Sequence, residues 1–135
     1  MKRLIFAFFL TIFALGINAA PKAAERIAYI FKEAKISADK QRKLKPFLQA
    51  YFSDMESNKQ RHDDLKDKYK SAEKAGKLTE TQADELMQSK FMKDEKEVEI
   101  RRQYYKRFKV VVGAVKAREI LDLSNDKIKK GKGDS

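Results

Sequence analysis

One unbroken helical stretch constrains this chain more than anything else in it. From Leu78 the sequence runs to Tyr105 without a Gly or a Pro. It opens with Leu78-Thr79-Glu80-Thr81-Gln82, which has the form of a capping box. The Thr79 hydroxyl is placed to accept from the N–H of Gln82, and the Gln82 side chain to reach back to the Thr79 amide. Leu78 before the cap and Ala83 at the fourth helical position are spaced as a hydrophobic staple. Ala83, Leu86, Met87, Phe91, Val98, Tyr105, Phe108 and Val112 then follow at helical spacing. A helix over residues 80–112 is roughly 50 Å long at about 1.5 Å per residue. It is too long and too narrowly striped to be the core of a compact ball. The pattern predicts a second long helix lying along it.

That partner begins at Ile36-Ser37, a staple residue and a cap, with Asp39 in the first turn. Its apolar positions are Leu44, Phe47, Leu48, Tyr51, Phe52, Met55, Leu65, Tyr69 and Ala72. Asn58, Arg61 and His62 interrupt the stripe. Pro46 predicts a kink or break near Lys45, because proline lacks the N–H and crowds the preceding turn. Lys74-Ala75-Gly76-Lys77 ends the helix, with Gly76 suited to the left-handed position beyond the last turn. So short a connection makes the two long helices antiparallel neighbours.

Shorter helices flank this pair. Residues 21–35 read as an amphipathic helix with Ile27, Ile30, Phe31 and Ala34 on one face. Val110-Val111-Val112 is the only β-branched run, and no second strand-like stretch exists to pair with it. Gly113 therefore reads as a break or bend, and Val115, Ile120, Leu121 and Leu123 as the start of a last helix. The fold class expected is all-α, a long antiparallel helical hairpin with shorter flanking helices.

The two ends read differently. Lys2 and Arg3 precede an apolar run from Leu4 to Gly16, and Ile17-Asn18-Ala19-Ala20 offers small residues to a signal peptidase. The apolar run is shorter than the ~20 residues of a membrane-spanning helix. Residues 1–20 are thus expected to be a signal peptide cleaved near Ala19 or Ala20, which makes the mature protein exported and soluble. Residues 21–128 form the helical domain, and 129–135 a basic, flexible tail.

Charge is abundant and unevenly placed. Lys and Arg total 31 against 20 acids, a net +11 that falls to +9 without Lys2 and Arg3. A chain so basic attracts acidic or mixed-charge partners. Residues 80–100 hold seven acids against three lysines, and residues 101–109 hold five bases and no acid. That order complements the helix macrodipole and suits two copies lying antiparallel. The helix starting at Ser37 breaks the same rule, since Lys40, Arg42, Lys43 and Lys45 crowd its first turns. A local rule broken in this way marks a candidate functional region.

No catalytic constellation is legible. With no cysteine, neither a disulfide framework nor a thiolate metal site can form. His62 is the only histidine, between Arg61 and Asp63-Asp64, and reads as a solvated surface residue. A metal site needs further ligands at ordered spacing. Met55, Met87 and Met92 sit at stripe positions, where methionine usually fills a core. Adjacent acids such as Asp94-Glu95 diverge around a helix and make no carboxylate pair. Gly131-Lys132-Gly133 is too short for a phosphate loop. Arg101, Arg102, Tyr104, Tyr105, Lys106, Arg107, Phe108 and Lys109 interleave bases with aromatics, a pattern compatible with nucleic acid. Export argues against that partner. The plainer reading has the aromatics packed inward and the bases in water. A third joins the two: a basic helical surface with exposed aromatic edges that holds unfolded chains.

Leu78-Thr79-x-x-Gln82 matches the motif of the LTxxQ, Spy/CpxP-like family of small exported helical proteins. Ile36-Ser37-Ala38-Asp39-Lys40-Gln41 resembles a degenerate first copy, with Lys40 where the motif has Gln. Lys45-Pro46-Phe47-Leu48-Gln49-Ala50-Tyr51 resembles the Pro-containing segment of the family's Bacteroidetes-type branch. Tyr104-Tyr105-Lys106-Arg107-Phe108-Lys109, then Lys116-Ala117-Arg118, resembles that branch's ending. The likeness covers about residues 36–125. It departs at Gly113-Ala114, where Pro-containing turns are common, and at Ser124, where an acid is common.

The resemblance implies an all-helical hairpin that packs as a cradle-shaped antiparallel dimer in the periplasm. It also implies ATP-independent chaperoning of unfolded or stressed envelope proteins. From the residues themselves, no cofactor and no metal site is expected. Leu78, Thr79 and Gln82 carry over as structural residues. Lys40, Arg42, Lys43, Lys45, Arg101, Arg102 and Lys106 are expected to steer clients, with Phe47, Tyr51 and Tyr104 giving apolar contact. The rival is a periplasmic regulator, a repressor or metal-responsive partner of a membrane stress sensor. A membrane-surface contact through the positive charge is compatible with either. An enzyme is not expected.

Overall fold

The computed structural model describes residues 22–125, so the expected signal peptide and basic tail lie outside the described residues. Every regular element among those residues is helical. Helix α1 spans 22–33, α2 Ala38–Lys68, α3 Lys70–Lys74 and α4 Glu80–Asn125. The described residues form two compact units. One combines residues 22–49 with 107–125, and the other is Ala50–Lys106. Helices α2 and α4 each contribute to both.

Local chemistry sets the helix ends. At the start of α4, the N–H of Gln82 donates to Thr79 Oγ1 at 3.0 Å, and the N–H of Thr79 donates to Gln82 Oε1 at 3.1 Å. Both halves of the expected capping box are made. Before α2 the equivalent device is incomplete. The N–H of Lys40 lies 3.4 Å from Ser37 Oγ, while Gln41 Nε2 donates instead to the carbonyl of Ile36 at 2.8 Å. Asp39 meets two of the crowded cations, Arg42 at 2.9 Å and Lys43 at 3.9 Å. Gly76 has φ 69° as expected, and the N–H of Lys77 closes the turn onto the carbonyl of Ala72 at 2.8 Å.

Three boundaries differ from expectation or sharpen it. Helix α2 continues through Pro46 without a break. Pro46 and Arg42, whose carbonyl loses its helical donor, both lie on the exposed side, where water can meet that carbonyl. The helix expected to reach Lys74 instead pauses at Tyr69 (φ −101°, ψ 8°), leaving α3 as one short turn. Gly113 has φ 86° and ψ 166°, so it interrupts the helical geometry of α4 where a bend was expected.

The unit of residues 22–49 and 107–125 holds most of the apolar core. Ile27, Ile30, Ala34 and Ile36, Leu44 and Leu48 of α2, and Phe108, Ala117 and Ile120 of α4 are all buried in this unit. Arg26 Nη2 donates to the carbonyl of Ser124 at 3.1 Å, and Lys116 Nζ donates to that of Ala34, just past the end of α1. A cation at that end complements the helix dipole.

In Ala50–Lys106 the α2 and α4 segments run in opposite directions. Asp54 partners Tyr104, Asn58 the carbonyl of Lys93, His62 Ser89, and Tyr69 Glu85. As numbers rise on α2 they fall on α4.

Candidate functional site

The facing positions of this second unit are partly polar. On α2 they recur as Tyr51, Met55, Asn58, His62, Leu65 and Tyr69, alternating steps of four and three. The residues that interrupt the apolar stripe are therefore seam residues. Asn58 and His62 are both buried. Asn58 Nδ2 donates to the Lys93 carbonyl at 2.8 Å, and His62 Nδ1 lies 2.7 Å from Ser89 Oγ. Reading His62 as a solvated surface histidine is thus corrected. It sits at a contact position, and a hydroxyl on α4 satisfies it. Burial is the main cause that pushes its pKa below the ordinary 6.5. The ammonium groups of Lys66 and Lys93 add to that, and Asp63 opposes it.

Of the two seam residues, His62 meets a side chain on α4 and Asn58 a backbone carbonyl. The face of α4 turned inward carries Ser89, Lys93, Ile100 and Tyr104, of which Ile100 and Tyr104 are buried. Three members of the apolar series read from sequence, Met87, Phe91 and Val98, are rotated away. Phe91 is 47% exposed and Val98 53%, with Met87 and Met92 also open to solvent. Methionine as core filler is corrected at these two positions. Continuing along this outer face at 100° per residue brings Arg102 and Tyr105 into line with Met87, Phe91 and Val98. Arg102 is exposed and Tyr105 half-buried. The result is an open apolar strip that runs into positive charge.

The expected client-contact residues are divided between the two units. Lys40, Arg42, Lys43, Lys45 and Phe47 belong to the first unit; Tyr51, Arg101, Arg102, Tyr104 and Lys106 belong to the second. The four α2 cations are exposed, and Phe47 is half-buried with the Arg107 guanidinium 6.0 Å from its ring. Tyr51 and Tyr104 are only 1% and 4% exposed, so neither ring is available as a surface contact. They pack edge-on with centroids 5.5 Å apart. Arg101 Nη1 donates to the Tyr51 hydroxyl at 3.0 Å, and the Tyr104 hydroxyl donates to Asp54 Oδ2 at 2.8 Å. A buried tyrosine whose hydroxyl finds a partner is a packing residue. Arg102 and Lys106 remain as exposed cations.

At the far end of this unit the Tyr69 hydroxyl donates to Glu85 Oε1 at 2.5 Å, which raises the phenol pKa. Lys59 and Asp63, at 2.5 Å, shift each other in the usual sense for an ion pair, the lysine up and the carboxylate down. Among the described residues no group of three or more His, Asp or Glu is placed to hold a metal ion. No described helix is long and apolar enough to cross a membrane.

No family model, curated protein or solved structure matches the chain. The family likeness rests on the sequence motifs alone.

Proposed function

We propose that this chain is an exported, ATP-independent chaperone-like protein that binds unfolded envelope proteins through a basic, partly apolar helical surface. The observation that carries the reading is the outer face of α4, where Met87, Phe91 and Val98 stand open and Arg102 follows in line. Large apolar side chains in a row on an exposed helix face mark an interaction surface. The adjacent cations attract the acidic segments of a non-native chain over a distance of order the Debye length, ~10 Å. Contact of this kind needs no nucleotide and no covalent chemistry.

In this reading the second unit is a helical hairpin, and the chain works in the periplasm as a cradle-shaped dimer. Few apolar residues are buried in Ala50–Lys106 (Tyr51, Ile100 and Tyr104), so a second copy would add the cover a thin pair of helices needs. The acidic residues 80–99 and basic residues 101–109 of two antiparallel copies complement each other.

The test is suppression of aggregation of a chemically denatured client by the mature protein. Phe91→Ser with Val98→Ser, and separately Arg102→Glu with Lys106→Glu, should each weaken suppression several-fold while helical content stays unchanged. Full suppression by both variants would sink the reading. Solution mass, measured on the same samples, tests the dimer.

A further inference from the structure

The charge of this chain is divided unequally between its two units. Residues 22–49 and 107–125 carry twelve Lys and Arg against five acids, a net +7. Residues 50–106 carry thirteen of each, a net of zero. Long-range attraction to an anionic partner therefore belongs to the first unit. Residues 126–135 follow on from it in sequence and add four lysines against two acids.

The same unit holds two apolar side chains that are almost wholly in water. Val110 is 86% and Val115 82% exposed, against 47–57% for Met87, Phe91, Met92 and Val98 of the second unit. They stand on either side of Gly113, where φ 86° and ψ 166° interrupt the helix. Phe108 and Ala117 are buried, and none of residues 109–116 between them is. A Cβ at Gly113 would meet nothing within 4 Å, so the backbone faces open space there as well. Being five residues apart, the two valines lie within roughly 18 Å of each other even at the full reach of the chain. Exposed Arg107, Lys109 and Arg118 and half-buried Lys116 bracket them.

We propose that this corner is a membrane-surface contact. Val110 and Val115 enter the headgroup boundary of an anionic phospholipid layer, and the bracketing cations meet its phosphates. Such binding adds buried apolar area to electrostatic attraction, and neither term needs a shaped pocket. A nucleic acid offers the phosphates but no apolar layer to receive two aliphatic side chains, whereas a lipid surface offers both. No described helix is long and apolar enough to cross a membrane, so the contact these residues make is peripheral. It stands apart from the apolar strip of the second unit, and its test does not depend on aggregation suppression.

The experiment is flotation of the mature protein at low salt with two kinds of vesicle. One is phosphatidylcholine alone, and the other is equal parts phosphatidylcholine and phosphatidylglycerol. Binding to the anionic vesicles should be about tenfold tighter or more, and should weaken as salt rises. Val110→Ser with Val115→Ser leaves the charge unchanged and should weaken that binding about tenfold. Lys109→Glu with Arg118→Glu should weaken it more, at about fivefold or more for each cation lost. Lys70→Glu with Lys74→Glu, the same reversal in the neutral second unit, should change it little. The chain has no tryptophan, so Val115→Trp supplies a single fluorescent reporter. Its emission should move to shorter wavelength on anionic vesicles, and that of Val98→Trp should stay in place. The proposal is overturned if phosphatidylglycerol makes no difference, if the serine pair binds as tightly as the parent, if both charge reversals cost the same, or if the Val115→Trp emission does not move. Tight binding of poly-glutamate or single-stranded DNA, with the same loss in the serine pair, would assign the corner to an acidic protein or a nucleic acid instead.

Discussion

His62 Nδ1 lies 2.7 Å from Ser89 Oγ, a hydrogen bond that joins α2 to α4 through the only histidine in the chain. Burial and the facing ammonium groups of Lys66 and Lys93, with Lys90 adding less, hold the imidazole below its ordinary pKa of 6.5 against the pull of Asp63. The unfolded chain therefore takes up a proton at a pH where the folded one does not. Stability should be flat above about pH 7, decline as pH falls through 6.5 toward the folded pKa, and level off below it. Asp63, shifted downward, loses its contribution only at lower pH, below its ordinary 3.8. Urea unfolding of the mature protein between about pH 8 and 5 checks the sign, and His62→Gln should remove the slope. A slope that persists in the variant would place its origin elsewhere.

The reciprocal bonds between Thr79 and Gln82 supply a second expectation. Thr79→Ala should cost about 1 kcal/mol, and Thr79→Ser should restore most of it. Hydrogen exchange at the Gln82 amide should quicken in the alanine variant alone. If all three proteins unfold at the same denaturant concentration, the capping box contributes nothing to stability.

Gly113 has φ 86° and ψ 166°, a region that essentially only glycine occupies. A Cβ there would meet nothing within 4 Å, so any cost of Gly113→Ala is conformational rather than steric. That cost should be about 1–3 kcal/mol by thermal unfolding. An increase in stability together with higher helicity would mean that the alanine carries α4 straight through position 113.

Phe108 and Val110 are two residues apart on α4, yet Phe108 is 0% and Val110 86% exposed. Phe108→Ala should cost about 3–5 kcal/mol, since it empties the packed centre of the first unit. Val110→Ala should stay within about 0.5 kcal/mol. Comparable losses for both would show that Val110 is covered in solution, and solution mass would then report by what.

Much of the helix punctuation was legible without coordinates. Thr79 with Gln82, Gly76 and Gly113 act on backbone groups within a few residues, so sequence order alone brings the partners together. The core of the first unit was legible in part, because Ile27, Ile30, Ala34, Leu44 and Leu48 repeat at helical spacing with no competing polar face. Of the kink or break expected at Pro46, the break does not occur, because an orphaned carbonyl is tolerated where that side of the helix faces water.

The candidate sites were the least legible part. Asn58 and His62 looked like interruptions, but their spacing from Tyr51, Met55, Leu65 and Tyr69 already put them on the contact face. That spacing was the available signal. Tyr51 and Tyr104 looked like surface aromatics among bases, and mutual packing removed them from the surface.

By itself, the order of residues decided where α4 begins and where Gly76 and Gly113 interrupt the helices, because capping hydrogen bonds and glycine dihedrals are satisfied within a turn. Only the tertiary structure decided which side of α4 is buried. Its apolar strip through Met87, Phe91 and Val98 and its polar strip through Ser89 and Lys93 both have helical spacing. Buried His62 required a hydrogen-bonding partner, and the hydroxyl of Ser89 on the second strip supplied it.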